Sequence, residues 1–141
     1  MLNVVAGNTD AHAKNFSFLL PVFEGGGDAG WGARLADAYD IVPQSFFDPE
    51  QSPFAMRIHG EAQPNAITAE HFIAEACGWG LQREAAEQVV ATTLGGIRDA
   101  IMRIEPGLVG ERLPRYLLER VENLERGDRV WTRPLPPARD P

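Results

Sequence analysis

The sequence predicts a mainly α-helical domain with one small β-hairpin near its start, an α+β arrangement in which helices dominate. Three observations predict it. The second half repeats apolar residues at helical spacing. Two aromatic and apolar stretches flank a glycine-rich turn near the start, and residues 43–65, with four prolines, read as irregular. At 141 residues the chain is one domain by size and long enough to bury a core.

Taken in order, residues 2–6 read as the end of a helix cut off at its start and terminated by Gly7 and Asn8. Residues 15–23 alternate loosely and carry aromatics, which predicts a strand. Residues 24–30 form a flexible turn, and 31–36 form the returning strand. Thr68 suits a helix N-cap, with Glu70 in the first turn and Gly78 at the end. A long helix is expected over 82–104, with Ala86, Val90, Thr93, Ile97, Ala100 and Ile104 as its buried face. Gly95 and Gly96 interrupt it at about 1 kcal/mol each relative to alanine, which hints at close helix packing or a bend. A last helix spans 113–125 and stops near Gly127, so the domain is expected over 1–128. The proline-rich tail, 129–141, has no periodicity and reads as extended or disordered.

Composition narrows the function. With 44% hydrophobic and 23% charged residues, the balance is that of an ordinary globular protein. The longest apolar runs, such as 16–23, are too short to cross a bilayer, and no basic segment precedes an apolar one at the start. No membrane association and no secretory signal are therefore expected. Cys77 is the single cysteine, so neither an internal disulfide nor a cysteine metal site can form. A cytoplasmic location suits it, and Cys77 reads as a small packed hydrophobe near a helix end. Formal charge is −7, which repels phosphate backbones and argues against direct nucleic-acid binding. Arg112, Arg115, Arg120, Arg126 and Arg129 alternate with glutamates, so they read as a solvated helix face.

The chemistry concentrates in Gly7 to Ser17, GNTDAHAKNFS. Asp10 and Asn15 stand five positions apart, and Lys14 is the only lysine among thirteen basic residues. In protein kinases a catalytic-loop Asp accepts the substrate hydroxyl proton, and an Asn five residues later holds magnesium. A lone lysine in an arginine-rich chain suits a site that wants a compact point charge against phosphate. Asp10 by itself would read as a turn former after Asn8; the spacing to Lys14 and Asn15 is what lifts it. The hairpin returns residues 37–40 to the level of residues 10–15, so Asp10, Asn15 and Asp40 can converge on a hard cation such as magnesium. Asp37 competes with Asp40 for that role.

GNTDAHAKNFSFLL resembles the catalytic-loop signature of the HipA-type kinases, toxin components of bacterial toxin–antitoxin pairs. LADAYDIVP at 35–43 resembles the segment with the family's second metal-binding Asp, and FAMRIHGE at 54–61 resembles the stretch after it. The helical remainder resembles the family's C-terminal lobe, so the likeness covers most of residues 2–125. The resemblance implies a protein-kinase-like C-terminal lobe, a serine/threonine protein kinase reaction, and the cofactors Mg2+ and ATP. It makes Asp10 the base and Lys14 the group that steadies the transferring phosphate. Asn15 and Asp40 become the metal ligands, and the resemblance selects Asp40 over Asp37. His12, two residues after Asp10, rigidifies the loop or approaches phosphate on the cofactor side. Ordinary kinases carry Phe-Gly after this second Asp, where Ile41 and Val42 stand, so their activation switch is not implied. The implied partners are a protein substrate (an aminoacyl-tRNA synthetase in known members), an antitoxin that binds DNA, and a separate N-terminal lobe. That last partner follows because the family's catalytic portion is several times larger and the chain starts nine residues before Asp10. The lobe is therefore expected to be truncated and inactive alone, and a non-catalytic binding module is the alternative.

Other motifs carry less. Gly25, Gly26 and Gly27 precede a strand and Asp28, not a helix opening with Lys-Ser/Thr, so they do not make a phosphate loop. His59 and His71 are isolated, and no spacing of His, Cys and carboxylates resembles a zinc site. No serine sits in a nucleophile elbow. Ser45, Ser52 and Thr68 are hydroxyls that nothing in the sequence singles out for modification.

Overall fold

Residues 1–20, 32–47, 52–105, 107 and 110–130 are described by a computed structural model, and within them lie five α-helices and one antiparallel hairpin. Helix α1 (Leu2–Ala6) ends at Gly7, whose φ of 73° lies in the left-handed region. The Gly7 N–H donates to the Val4 carbonyl and the Asn8 N–H to the Asn3 carbonyl, the paired bonds of a Schellman cap. Val4, Val5 and Ala6 are buried.

Strand β1 (Phe18–Leu19) pairs with β2 (Arg34–Leu35), Phe18 opposite Leu35 and Leu19 opposite Arg34. The hairpin is where the sequence placed it but shorter than the expected 15–23 and 31–36. Residues Ala13–Asn15 form a 3-10 turn instead. The Asn15 side chain accepts the His12 N–H there, a local bond that competes with an extended chain. The glycine-rich turn at 24–30 lies outside the described residues, as does the tail from 131.

The segment read as irregular contains three ordered pieces. Helix α2 (Gln44–Phe47) follows Pro43, and a 3-10 turn (Pro64–Ala66) opens with its proline. Between them Ile58 and Glu61 exchange backbone hydrogen bonds across His59 and Gly60. Both central residues have positive φ, 47° and 82°, the requirement of a type I′ turn.

Helix α3 (Ala69–Gly78) begins at Thr68 as expected, and the His71 ring closes over that cap with Nδ1 3.0 Å from Thr68 Oγ1. Helices α4 (Arg83–Ile101) and α5 (Arg112–Glu125) follow. α3 packs on α4, α4 on α5, and α1 on α5. Val4, Val5, Phe54, Ile67, Phe72, Val90, Leu94, Ile101, Val121, Leu124 and Val130 form the shared core. The packed body reaches Val130, whose N–H donates to the Ile67 carbonyl at 2.7 Å.

Helix α4 differs from expectation in two ways. It ends at Ile101, so Ile104 lies beyond it and is exposed, as is Ala100. Its buried residues are Ala86, Val90, Leu94 and Ile101, while Thr93 and Ile97 are half-buried. A helix turns 3.6 residues per repeat, so a stripe that steps by four from Ala86 passes through Leu94, not Thr93. A Cβ at Gly95 or Gly96 would meet nothing within 4 Å among the described residues, so packing between those residues does not require either glycine.

The solvated arginine face on α5 needs a larger correction. Arg120 is fully buried. Its Nε donates to the Val5 carbonyl at 2.8 Å and its Nη2 to the Val4 carbonyl at 2.7 Å. Its guanidinium also lies 5.1 Å from the Tyr116 ring centroid. Burial lowers its pKa and the neighbouring Tyr116 opposes that shift, but an arginine starts so high that it stays charged. The cation is therefore balanced by the carbonyl end of α1, where the helix dipole is negative.

Two outcomes are expected. Arg120→Ala removes the side-chain donor to the Val5 carbonyl and one of two donors to the Val4 carbonyl, and should lower unfolding free energy by about 3 kcal/mol in urea denaturation, with Arg120→Lys recovering only part. At the surface, the Arg83 guanidinium grips Glu70 at 2.9 and 2.8 Å and holds its carboxyl below the ordinary value of 4.5. A depressed folded pKa adds stability above the unfolded value and loses it as pH falls through the folded one. NMR titration should therefore place Glu70 below 4.5, and Arg83→Gln should return it toward that value.

Candidate functional site

The Schellman cap of α1 aims the chain directly into the Asp10 loop. Ser45 on α2 meets the Gly7 carbonyl with both its N–H, at 3.0 Å, and its hydroxyl, at 3.1 Å. A Cβ on Gly7 would stand 2.8 Å from the Ser45 Cβ, so glycine is required by both contact and conformation. Ser45 is thereby buried and committed to the fold.

Asn8 is buried and joins the two halves of the site. Its Nδ2 donates to Asn3 Oδ1 at 3.0 Å and to the Asp40 carbonyl at 2.9 Å. Gln44 holds the next two residues: its Oε1 accepts the Thr9 hydroxyl at 2.7 Å and the Asp10 N–H at 2.9 Å. From the other side the Ala55 N–H donates to the Thr9 carbonyl at 2.9 Å. The Asp10 backbone is thus fixed while its carboxylate is exposed, with no hydrogen bond among the described residues.

Asn15 and Asp40 meet directly. Asn15 Nδ2 donates to Asp40 Oδ2 at 2.7 Å, and Asn15 Oδ1 accepts the His12 N–H at 2.9 Å. The His12 donor needs an oxygen, so the amide nitrogen must face the Asp40 carboxylate. Asp40 has a φ of 56°, a left-handed conformation that Asp tolerates better than most side chains. The Tyr39 hydroxyl donates to the Lys14 carbonyl at 2.8 Å, tying the returning chain to the 3-10 turn. The Lys14 side chain is exposed. His12 is half-buried, and its Nδ1 is enclosed with no hydrogen-bond partner among the described residues. Asp37 stands 3.8 Å from Arg34 in a loose surface pair and makes no hydrogen bond to Asn15 or Asp40.

Among the described residues no three His, Cys, Asp or Glu side chains gather as a metal cluster. The oxygen donors are those of Asp40 and Asn15, with Asp10 on the adjoining loop. So small a set of hard oxygens suits magnesium, which takes one or two carboxylates and fills its other positions with water and phosphate.

The family profile of the HipA-like C-terminal domain matches residues 1–101. The chain belongs to this family. The matched stretch contains the whole network from Asn3 to Gln44. Against the serine/threonine-protein kinase toxin HipA of Shewanella oneidensis, the chain is 34% identical over 83 residues. That alignment takes in 59% of this chain and spans only 17% of the relative's length. No solved structure matches. No helix among the described residues is long and apolar enough to cross a membrane.

Sequence reading missed the groups that hold the site in shape. Asn8 lay inside the motif but read only as a helix terminator, and Gln44 carried no signal beyond following Pro43. Arg120 did carry one: Tyr116, Arg120 and Leu124 are spaced four apart and all are buried. Gln44→Ala should speed hydrogen exchange at the Asp10 amide and lower stability by about 1 kcal/mol, with α3 and α4 exchange unchanged.

Proposed function

We propose that this chain carries the proton-accepting and metal-holding side of a HipA-type serine/threonine protein kinase, on a protein-kinase-like C-terminal lobe. The observation that carries the reading is the Asn15–Asp40 hydrogen bond, with Asp10 exposed on the loop that leads to Asn15, all within the family match. Asp10 is the base: its backbone is fixed and its carboxylate is open to a substrate hydroxyl. Asn15 and Asp40 hold magnesium. Bound with ATP, the metal supplies positive charge that offsets charge developing on the transferred phosphoryl group. Lys14, an exposed point charge on the same turn, steadies that group. His12 holds the turn through its N–H to Asn15.

Lys14 is the only lysine in these 141 residues, and a kinase reaction also uses a lysine that clamps the ATP phosphates, which an N-terminal lobe would supply. The expected partners are that lobe, an antitoxin and a protein substrate, with an aminoacyl-tRNA synthetase as one candidate. The setting is cytoplasmic. Phosphoryl transfer is mostly positioning and electrostatics, so the chain by itself is expected to be inactive.

A second reading, a non-catalytic binding module, draws on the hairpin. Phe18, Leu19 and Leu35 are exposed on both strands, as is Leu20 beyond β1, and a two-stranded ribbon whose faces the described residues leave open is marginal alone. That apolar ribbon suits a partner polypeptide whether or not phosphate moves.

Together with an N-terminal kinase lobe, the chain should phosphorylate protein, and Asp10→Asn should lower turnover about 10²–10⁴-fold with nucleotide affinity little changed. Asn15→Ala and Asp40→Ala should weaken magnesium-dependent nucleotide binding together with turnover. Near-normal turnover in Asp10→Asn would leave the binding module as the surviving reading.

A further inference from the structure

The hairpin delivers Asp40 to the Asp10 loop, but its backbone ladder stops short of the site. Phe18 stands opposite Leu35, and the Ala36 N–H donates to the Ser17 carbonyl at 2.8 Å, the last rung on that side. Continuing the same register inward would set Lys14 opposite Tyr39. The ladder does not continue, because Ala13–Asn15 turn into a 3-10 helix, and the last carbonyls of so short a helix have no helical donor. The Tyr39 hydroxyl stands in for the missing rung and donates to the Lys14 carbonyl at 2.8 Å.

One residue further along each segment, Asn15 Nδ2 donates to Asp40 Oδ2 at 2.7 Å. The two cross-links run side by side, and each closes 25 residues of chain. Consecutive Cα atoms lie about 3.8 Å apart, so once one link has closed that loop the other forms with little further loss of chain entropy. Packing gives Asn15 less support. A cavity of about 100 Å³ lined by Asn15, Phe16 and Tyr39 flanks the pair, so hydrogen bonds hold Asn15 on that side. Asp40 also has a φ of 56°, a costly conformation for a residue with a Cβ, which persists where its surroundings hold it. Asn8 bonds the Asp40 carbonyl, and Tyr39 anchors the residue before it.

We propose that Tyr39 is a positioning residue: by holding the Lys14 carbonyl, its hydroxyl sets the Asn15 amide against the Asp40 carboxylate before a metal arrives. The assignment rests on the metal-holding reading of Asn15 and Asp40 and adds the group that preorganises them. Tyr39 is exposed, so Tyr39→Phe deletes one hydroxyl without disturbing the core.

The test uses the 141-residue chain, labelled with nitrogen-15, first without metal. In Tyr39→Phe the Asn15 side-chain amide should move toward the position of a solvated asparagine and exchange with solvent about two- to tenfold faster, the worth of one hydrogen bond. The α3, α4 and α5 amides and the urea midpoint should not change, as loss of a merely structural contact would require. Asp37→Asn, on the same segment, should leave the Asn15 amide in place. Mn2+ is then added in place of magnesium. Broadening of the Asn15 and Asp40 signals should need about two- to tenfold more Mn2+ in Tyr39→Phe than in the natural chain. An Asn15 amide unchanged by Tyr39→Phe, an equal shift from Asp37→Asn, or an equal Mn2+ response in both proteins would each overturn the proposal. A natural chain in which Mn2+ broadens neither signal removes the metal-holding reading instead, and the metal-free Asn15 amide still decides the role of Tyr39.

Discussion

The guanidinium of Arg120 bonded to the last carbonyls of α1 is the contact on which the site's geometry depends. A five-residue helix is too short to hold itself together in water, so tertiary contacts must supply its stability. Arg120 supplies two charge-assisted hydrogen bonds at the carbonyl end of the helix, one to Val5 and one to the Val4 carbonyl that also accepts the Gly7 N–H. A buried cation without a carboxylate would ordinarily be costly, and here the carbonyl end of the helix and the Tyr116 ring take the carboxylate's place. The helix needs the cation and the cation needs the helix.

From that junction the rest of the network follows in short steps. Once α1 is fixed on α5, the left-handed Gly7 turns the chain toward α2, where Ser45 bonds its carbonyl twice. Phe46, beside Ser45 on α2, lies 5.3 Å from the Tyr116 ring, so α5 touches both helices that frame the loop. Asn8 and Gln44 then set the backbone of residues 9, 10 and 40. These bonds hold the backbone of the loop within the fold and leave the Asp10 carboxylate and the Lys14 side chain exposed. A rigid frame that presents a few exposed polar groups is the arrangement that preorganised catalysis and tight recognition both require.

The motif was legible because its residues are local. Asp10, Lys14 and Asn15 are fixed by spacing on one loop, and the partnership of Asn15 with Asp40 could be anticipated from a hairpin that doubles the chain back. Thr68 was legible as a cap because N-capping is decided by the residue and its next three neighbours. Interrupted periodicity was harder to read. Thr93 and Leu94 are adjacent, and the stepping pattern of apolar residues chose the wrong one because Thr93 sits at the edge of the buried stripe. The α5 arginines were read by charge alone, which cannot tell a cation in water from one facing a helix end.

Sequence by itself singled out the candidate residues Asp10, Lys14 and Asn15, the starts of α3, α4 and α5 to within a residue, and a mainly helical chain with one hairpin. Those follow from interactions spanning a few residues: side-chain caps, glycine's access to positive φ, and 3.6-residue periodicity. Only the tertiary structure decided how Asp10 is held, because Gln44 and Arg120 lie 34 and 110 positions away along the chain. Their contributions depend on which backbone groups α1 leaves unsatisfied and which helix comes to cover them. A buried charge is stable only where that geometry exists, and the geometry is made by packing.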